Sequence, residues 1–234
     1  MSAVVFDIGA NDGNSSFPIV NAYKNVTVYA FEPTPTLLPR LENMQKSCER
    51  FKLFPCAVSN VEGFINFNLN IGDEWVGVGE SGHGGTNSVY AIQRKEFSHC
   101  KVGKTIEVPV IRLEKFIDDH SEINQIDYFH CDVQGLDLEV LQGLGKHLSK
   151  VKRGCLEMPL NYNTRIYPDQ KYDCADAVRF LHENGFIVDR IDRNDDHVCE
   201  VNIYFSRLDE NKRVKSVRWS PITPEDIWVR SRLG

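Results

Sequence analysis

No stretch of this chain approaches the ~20 consecutive apolar residues that a helix needs to cross a bilayer, so no membrane span is expected. The N-terminus shows neither the charged region, the apolar core nor the cleavage site of a secretory signal, and a cytoplasmic location follows as the expectation. Positive charge is in short supply: 27 Lys and Arg stand against 33 Asp and Glu, a formal charge of -6. A polyanion needs a basic face to displace counterions, so nucleic acid is not the expected partner. The seven cysteines form no CxxC pair, which removes the usual zinc and dithiol signatures and leaves reduced core thiols as the reading. Internal repeats and low-complexity linkers are also missing. One α/β domain over residues 1–207 is expected, with an insertion near 60–105 and a basic extension at 208–234. That extension holds Lys212, Arg213, Lys215, Arg218, Arg230 and Arg232, and reads as a solvated face.

What the chain does have is a series of short apolar runs separated by helical patterns. Residues 3–8 form a β-branched run stopped by Gly9, the pattern of a strand buried on both faces of a parallel sheet. Strands are expected at 25–31, 51–58, 126–133 and 151–158, with helices at 17–23, 36–47, 113–119, 138–148 and 174–184 between or after them. The alternation predicts a Rossmann-like, mostly parallel sheet of about seven strands. Residues 186–191 and 201–205 should close it as a C-terminal antiparallel hairpin. The insertion is read as added strands at 63–69 and 105–112 around a glycine-rich loop at 71–85. That loop lacks the Gly-Lys-Ser/Thr ending of a phosphate cradle, and a mobile lid is expected instead.

Ligands of such sheets collect beyond the carboxyl ends of the strands, where strand order reverses. Asp7, Glu32, Asp132 and Glu157 all fall at or near such ends. The turn Gly9-Ala10-Asn11-Asp12-Gly13 lets backbone approach a ligand, and Glu32 can accept two hydrogen bonds from ribose hydroxyls. A dinucleotide site wants GxGxxG, whereas this turn has only Gly9 and Gly13 and is flanked by Asp7 and Asp12. An anionic pyrophosphate would meet those carboxylates. A cofactor carrying an ammonium and a sulfonium suits them, so S-adenosylmethionine is expected rather than NAD.

The segments Phe6-Asp7-Ile8-Gly9-Ala10-Asn11-Asp12-Gly13, Tyr29-Ala30-Phe31-Glu32-Pro33, Cys56-Ala57-Val58-Ser59 and Tyr128-Phe129-His130-Cys131-Asp132-Val133-Gln134-Gly135 resemble those of FkbM-type methyltransferases. So do Leu138-Glu139-Val140-Leu141-Gln142-Gly143, Asn184-Gly185-Phe186 and Val201-Asn202-Ile203-Tyr204-Phe205. The resemblance implies a class I methyltransferase fold and O-methylation of sugars and other natural-product hydroxyls. It places Asp7, Gly9, Asn11 and Gly13 on the methionine side of the cofactor, Glu32 on the ribose and Ala57 near adenine. One position departs: the family usually has an acid where this chain has Gln134.

A sugar hydroxyl is a poor nucleophile at neutral pH and calls for a base or a metal. Asp132 is the expected base, with Glu157 assisting, and the acceptor is a small molecule or glycan. A divalent cation of the magnesium type held by the same two carboxylates is the disfavoured alternative. His83, Tyr162 and Arg165 are candidate acceptor contacts, joined by Asn163 and Tyr167 in the loop after the fifth strand. His130 points to the same strand face as Asp132 and is read as packed rather than catalytic. Two rival classes share the fold: a nicotinamide-dependent oxidoreductase and a non-catalytic nucleotide-binding module.

Overall fold

The computed structural model describes residues 2–72, 84–92, 100–194 and 200–208. Its main sheet has seven strands in the order β3-β2-β1-β7-β8-β10-β9. These are β1 (Ala3–Ile8), β2 (Val26–Phe31), β3 (Phe51–Phe54), β7 (Tyr128–Cys131), β8 (Arg153–Pro159), β9 (Phe186–Arg193) and β10 (Glu200–Arg207). The first five are parallel to one another, and β10 runs antiparallel to both β8 and β9. The helices are α1 (Phe17–Ala22), α2 (Leu38–Ser47), α3 (Leu113–Asp119), α4 (Asp137–Gln142) and α5 (Cys174–Glu183). The mostly parallel sheet and its terminal hairpin are therefore those expected from the alternation of apolar runs.

Both faces of the sheet are covered, which is why β1 carries apolar residues at nearly every position. Phe6, Ile8, Phe31, Phe129 and Leu156 pack into the larger core. Val5, Val28, Ala30 and Phe51 face the other way, with Val20 and Leu41 from α1 and α2. Helix α5 shows how local sequence sets a boundary. The Asp173 carboxylate accepts from the Ala175 and Asp176 amides, Asp176 accepts in return from the Asp173 amide, and Gly185 at φ +75° ends the helix.

Two expected elements are corrected. The run 51–58 is not one strand, because the chain leaves the main sheet at Pro55 and Ala57–Ser59 becomes β4 beside β6 (Cys100–Arg112). With β5 (Gly63–Gly72) it makes a separate sheet in the order β4-β6-β5. The helix expected at 138–148 stops at Gln142 and resumes as a 3-10 segment at Gly145–Lys150. Gly145, at φ +48°, marks the change of path, and at Gly143 a Cβ would lie 2.6 Å from the Ser59 carbonyl oxygen, so only a bare backbone fits that close to β4. Most of the expected lid at 71–85, and the extension beyond Leu208, lie outside the described residues.

Candidate active site

Strand order reverses between β1 and β7, and the turns leaving these two strands touch. The Asp132 amide donates to the Ile8 carbonyl at 2.9 Å. Gly9 sits at φ +81°, and a Cβ on it would fall 1.8 Å from the Asp132 carbonyl oxygen. Only glycine meets both demands. Asn11 also takes a left-handed conformation, φ +49°, which turns its amide toward β2. That amide donates to Glu32 Oε2 at 2.8 Å, and the Thr34 amide donates to Glu32 Oε1 at 2.9 Å. Glu32 is thus clamped by the turns after β1 and β2. Burial raises its proton affinity, the Thr34 and Asn11 hydrogen bonds oppose that, and the nearby charge of Asp7 adds to the rise.

These turns form one side of a cavity that opens to solvent. Glu32, Gly9, Asn11 and Asp132 supply its polar wall, while Phe31, Ala57, Val58 and Leu136 supply an apolar one. The insertion closes it with Phe67, Asn87 and Val89. Asn87 is fixed there because its Oδ1 accepts from the Asn70 amide at 2.8 Å and its Nδ2 donates to Thr34 Oγ1 at 3.3 Å. A concave, mostly apolar pocket with a few convergent polar groups is the expected form of a small-molecule site.

Beyond Asp132 the chain makes a second tight turn. Gln134 has φ +55°, unusual for a residue with a side chain. Its Nε2 donates to Asp132 Oδ1 at 2.7 Å and to Glu157 Oε2 at 2.8 Å, while its Oε1 accepts from the Tyr167 hydroxyl at 2.8 Å. Asn194 donates to the other Glu157 oxygen. Burial, followed by the charges of Asp132 and Glu200, pushes the Glu157 carboxyl well above the usual carboxylate range. Asp137 accepts from the Val133 and Gly135 amides at 3.2 Å each. Burial and then the charge of Asp132 push it up to about 8.

The profile of the Methyltransferase FkbM domain matches residues 7–188. This chain belongs to the FkbM methyltransferase family. It is 27% identical over 153 residues to the 2-O-methyltransferase NoeI of Sinorhizobium fredii, an alignment covering 64% of this chain and 60% of that protein. The chain thus matches less than two thirds of that curated relative. The solved structure of a methyltransferase FkbM from Methylobacillus flagellatus superposes with a TM-score of 0.53 at 14% identity, over 87% of this chain and 43% of that one. Sp1610 of Streptococcus pneumoniae, a candidate tRNA methyltransferase, gives 0.52 at 11% identity over 99% and 78%. These likenesses establish the class I methyltransferase fold.

Within this FkbM domain the residues picked out in the sequence separate into two groups. Gly9, Asn11, Glu32, Ala57 and Asp132 all line the one cavity. Asp7, Gly13 and Glu157 do not. Gly13, at φ +78°, packs against Met44 and Leu41 of α2, where a Cβ would come within 2.6 Å and 2.9 Å of their side chains. Asp7 is buried and accepts from His130 Nδ1 at 2.9 Å through one oxygen, leaving Oδ2 without a hydrogen-bond partner among the described residues. Burial alone would lower the proton affinity of His130, but the hydrogen bond and charge of Asp7, with the charges of Asp132 and Asp137, raise it overall. Asp12 faces outward, where it accepts from the Asn14 amide and lies 3.8 Å from Arg40.

Of the candidate acceptor contacts, His83 lies outside the described residues. Tyr162 and Arg165 stack on each other at 4.4 Å and stand away from the cavity. Tyr167 is buried, with its hydroxyl turned to Gln134. Sequence reasoning missed Asn87 and the bridging role of Gln134. Gln134 was signalled only as a departure from the family pattern, and nothing adjacent to Asn87 marks it. Among the described residues no group of three His, Cys, Asp or Glu side chains is placed to hold a metal ion, and no helix is long and apolar enough to cross a membrane.

Proposed function

We propose that the chain is an S-adenosylmethionine-dependent O-methyltransferase acting on a hydroxyl of a sugar, glycan or related natural product. The observation that carries this reading is Glu32, held by two backbone amides and lining the cavity beside an apolar wall. A ribose diol fits such a carboxylate, and adenine fits the apolar surface near Ala57 and Val58. Family membership favours methyl transfer over the nicotinamide alternative. NoeI is named a 2-O-methyltransferase, which supports a hydroxyl acceptor.

The cofactor, when bound, supplies a methyl group made electrophilic by its sulfonium. Asp132 lines the same cavity and is the residue proposed to accept the acceptor's proton as the oxygen–carbon bond forms and the carbon–sulfur bond breaks. Holding the hydroxyl in line contributes further to the rate. Glu157 lies behind Gln134 and acts through it rather than on the acceptor.

Glu32→Ala should weaken S-adenosylhomocysteine by about 1.5 to 3 kcal/mol, roughly 10- to 150-fold, as when hydrogen bonds to a charged group are lost. Glu32→Gln, which keeps one acceptor oxygen, should fall between. Calorimetry reads both. Unchanged affinity in Glu32→Ala would remove the ribose assignment.

A further inference from the structure

An amide stands where an acid would bring three carboxyl groups together. Gln134 donates from one nitrogen to an oxygen of each of Asp132 and Glu157, and Tyr167 donates to its carbonyl oxygen. The Tyr167 hydroxyl, which also lies 3.2 Å from the Thr86 carbonyl oxygen, is nearer to Oε1 at 2.8 Å and so favours the orientation that points Nε2 at the carboxyls. The reverse orientation would set Oε1 against the Asp132 carboxyl oxygen. The backbone reinforces the placement, since Gln134 is held at φ +55° and its carbonyl accepts from Ser88 Oγ at 2.6 Å. A non-glycine residue keeps such a conformation only where its surroundings over-determine it.

We propose that Gln134 is a positioning residue of the methyl-transfer site, whose amide protons take the place of the extra proton that an acid at this position would require. The proposal rests on the functional reading above only for what the Asp132–Glu157 pair is used for. The neighbourhood is already short of positive charge. The negative charges of Asp137 on α4 and Glu200 on β10 add to those of the pair, and the Tyr167 hydroxyl bonds to Gln134 itself. His130 on β7, whose proton affinity the charge of Asp132 helps to raise, is already engaged by Asp7. A glutamate at 134 would keep its bond from Tyr167 and turn its second oxygen on two carboxyls, which like charges at that distance allow only with another proton bound.

The test compares Gln134→Glu, Gln134→Ala and Tyr167→Phe with the wild type. Denaturation at a series of pH values reads the proton directly. A carboxyl whose folded proton affinity exceeds its unfolded one binds more protons when folded, so its variant loses stability as pH rises through that window. The folding equilibrium constant of Gln134→Glu relative to wild type should therefore drop a further tenfold or more, on the order of one bound proton, between about pH 5 and 8. Gln134→Ala removes both donors and should drift the same way by less, and Tyr167→Phe by less again. A merely structural role gives an offset that is equal at every pH, and that result overturns the proposal.

Turnover with a panel of simple monosaccharides, read as S-adenosylhomocysteine formed, adds the second arm. Its acid limb should move upward by about one pH unit in Gln134→Glu, with affinity for S-adenosylhomocysteine kept within about threefold. Superimposable profiles for wild type, Gln134→Glu and Gln134→Ala would overturn the proposal. If Gln134→Glu does not fold at any pH, Gln134→Ala and Tyr167→Phe decide by the same criteria. If the wild type neither binds S-adenosylhomocysteine nor transfers methyl, the functional reading fails. The pH dependence of unfolding then still decides whether Gln134 replaces a proton.

Discussion

Asp132→Asn is expected to lower turnover by about a hundredfold to ten-thousandfold while leaving affinity for S-adenosylhomocysteine little changed. The substitution suits the site because Asp132 Oδ1 accepts from Gln134 Nε2 at 2.7 Å, and an asparagine oxygen can accept the same bond. Shape is kept and the proton acceptor is lost. Asp132 lines the cavity at the end of β7, on the opposite side of the switch point from Glu32 at the end of β2. The loss should therefore appear in kcat rather than in cofactor binding. Removing the charge also relieves Glu157, whose proton is held by burial and by Asp132 among others. Steady-state rates and calorimetry on the same protein preparation check this. A parallel fall in turnover and affinity would assign Asp132 to cofactor binding or to structure instead.

The second large effect is expected at Gly9, where alanine should cost about 3 kcal/mol or more of stability and abolish cofactor binding with it. Two causes add. The φ of +81° is strained for any residue with a Cβ, and that Cβ would sit 1.8 Å from the backbone oxygen of Asp132. No flexible side-chain end is there to yield. Relief requires the turns after β1 and β7 to part, which breaks the junction between Glu32 and Asp132. Gly63→Ala is the matched control, because Gly63 also has a positive φ, +115°, but nothing lies within 4 Å of the added atom. It should lose only the backbone strain, on the order of 1–2 kcal/mol. Urea denaturation separates them, and equal losses at the two glycines would mean that the contact with Asp132 is not what demands Gly9.

Legibility in the sequence followed the range of the interactions involved. The buried parallel strands announce themselves because a strand covered on both faces must be apolar throughout, as residues 3–8 are. Glu32 and Asp132 were legible because strand ends in this architecture are where ligands gather. The division of 51–59 between two sheets was not, since Phe54 and Val58 are equally apolar and only the partner strands distinguish them. The same holds for the glycine at 143, which the remote Ser59 carbonyl demands.

Within the site, Asp7 looked like a cofactor ligand by position. The register of β1 with β7 instead pairs it with His130 and keeps it out of the cavity lining. Tyr162 and Arg165 had the chemistry of a sugar platform, yet their stacking on each other could not be read from a spacing of three residues. Tyr167, in the same loop, goes inward because its hydroxyl has a buried partner in Gln134. Asn87 enters the site from the insertion, far from the strand ends in sequence, through Asn70 and Thr34.

On the proposed function, the cavity between Glu32 and Asp132 takes the adenosine and methionine parts of S-adenosylmethionine. A calorimetric titration of the wild-type protein with S-adenosylhomocysteine, run beside one with NAD, tests it most directly. Saturable one-to-one binding of S-adenosylhomocysteine and no heat from NAD are expected. Saturable binding of NAD with a silent S-adenosylhomocysteine titration would contradict it.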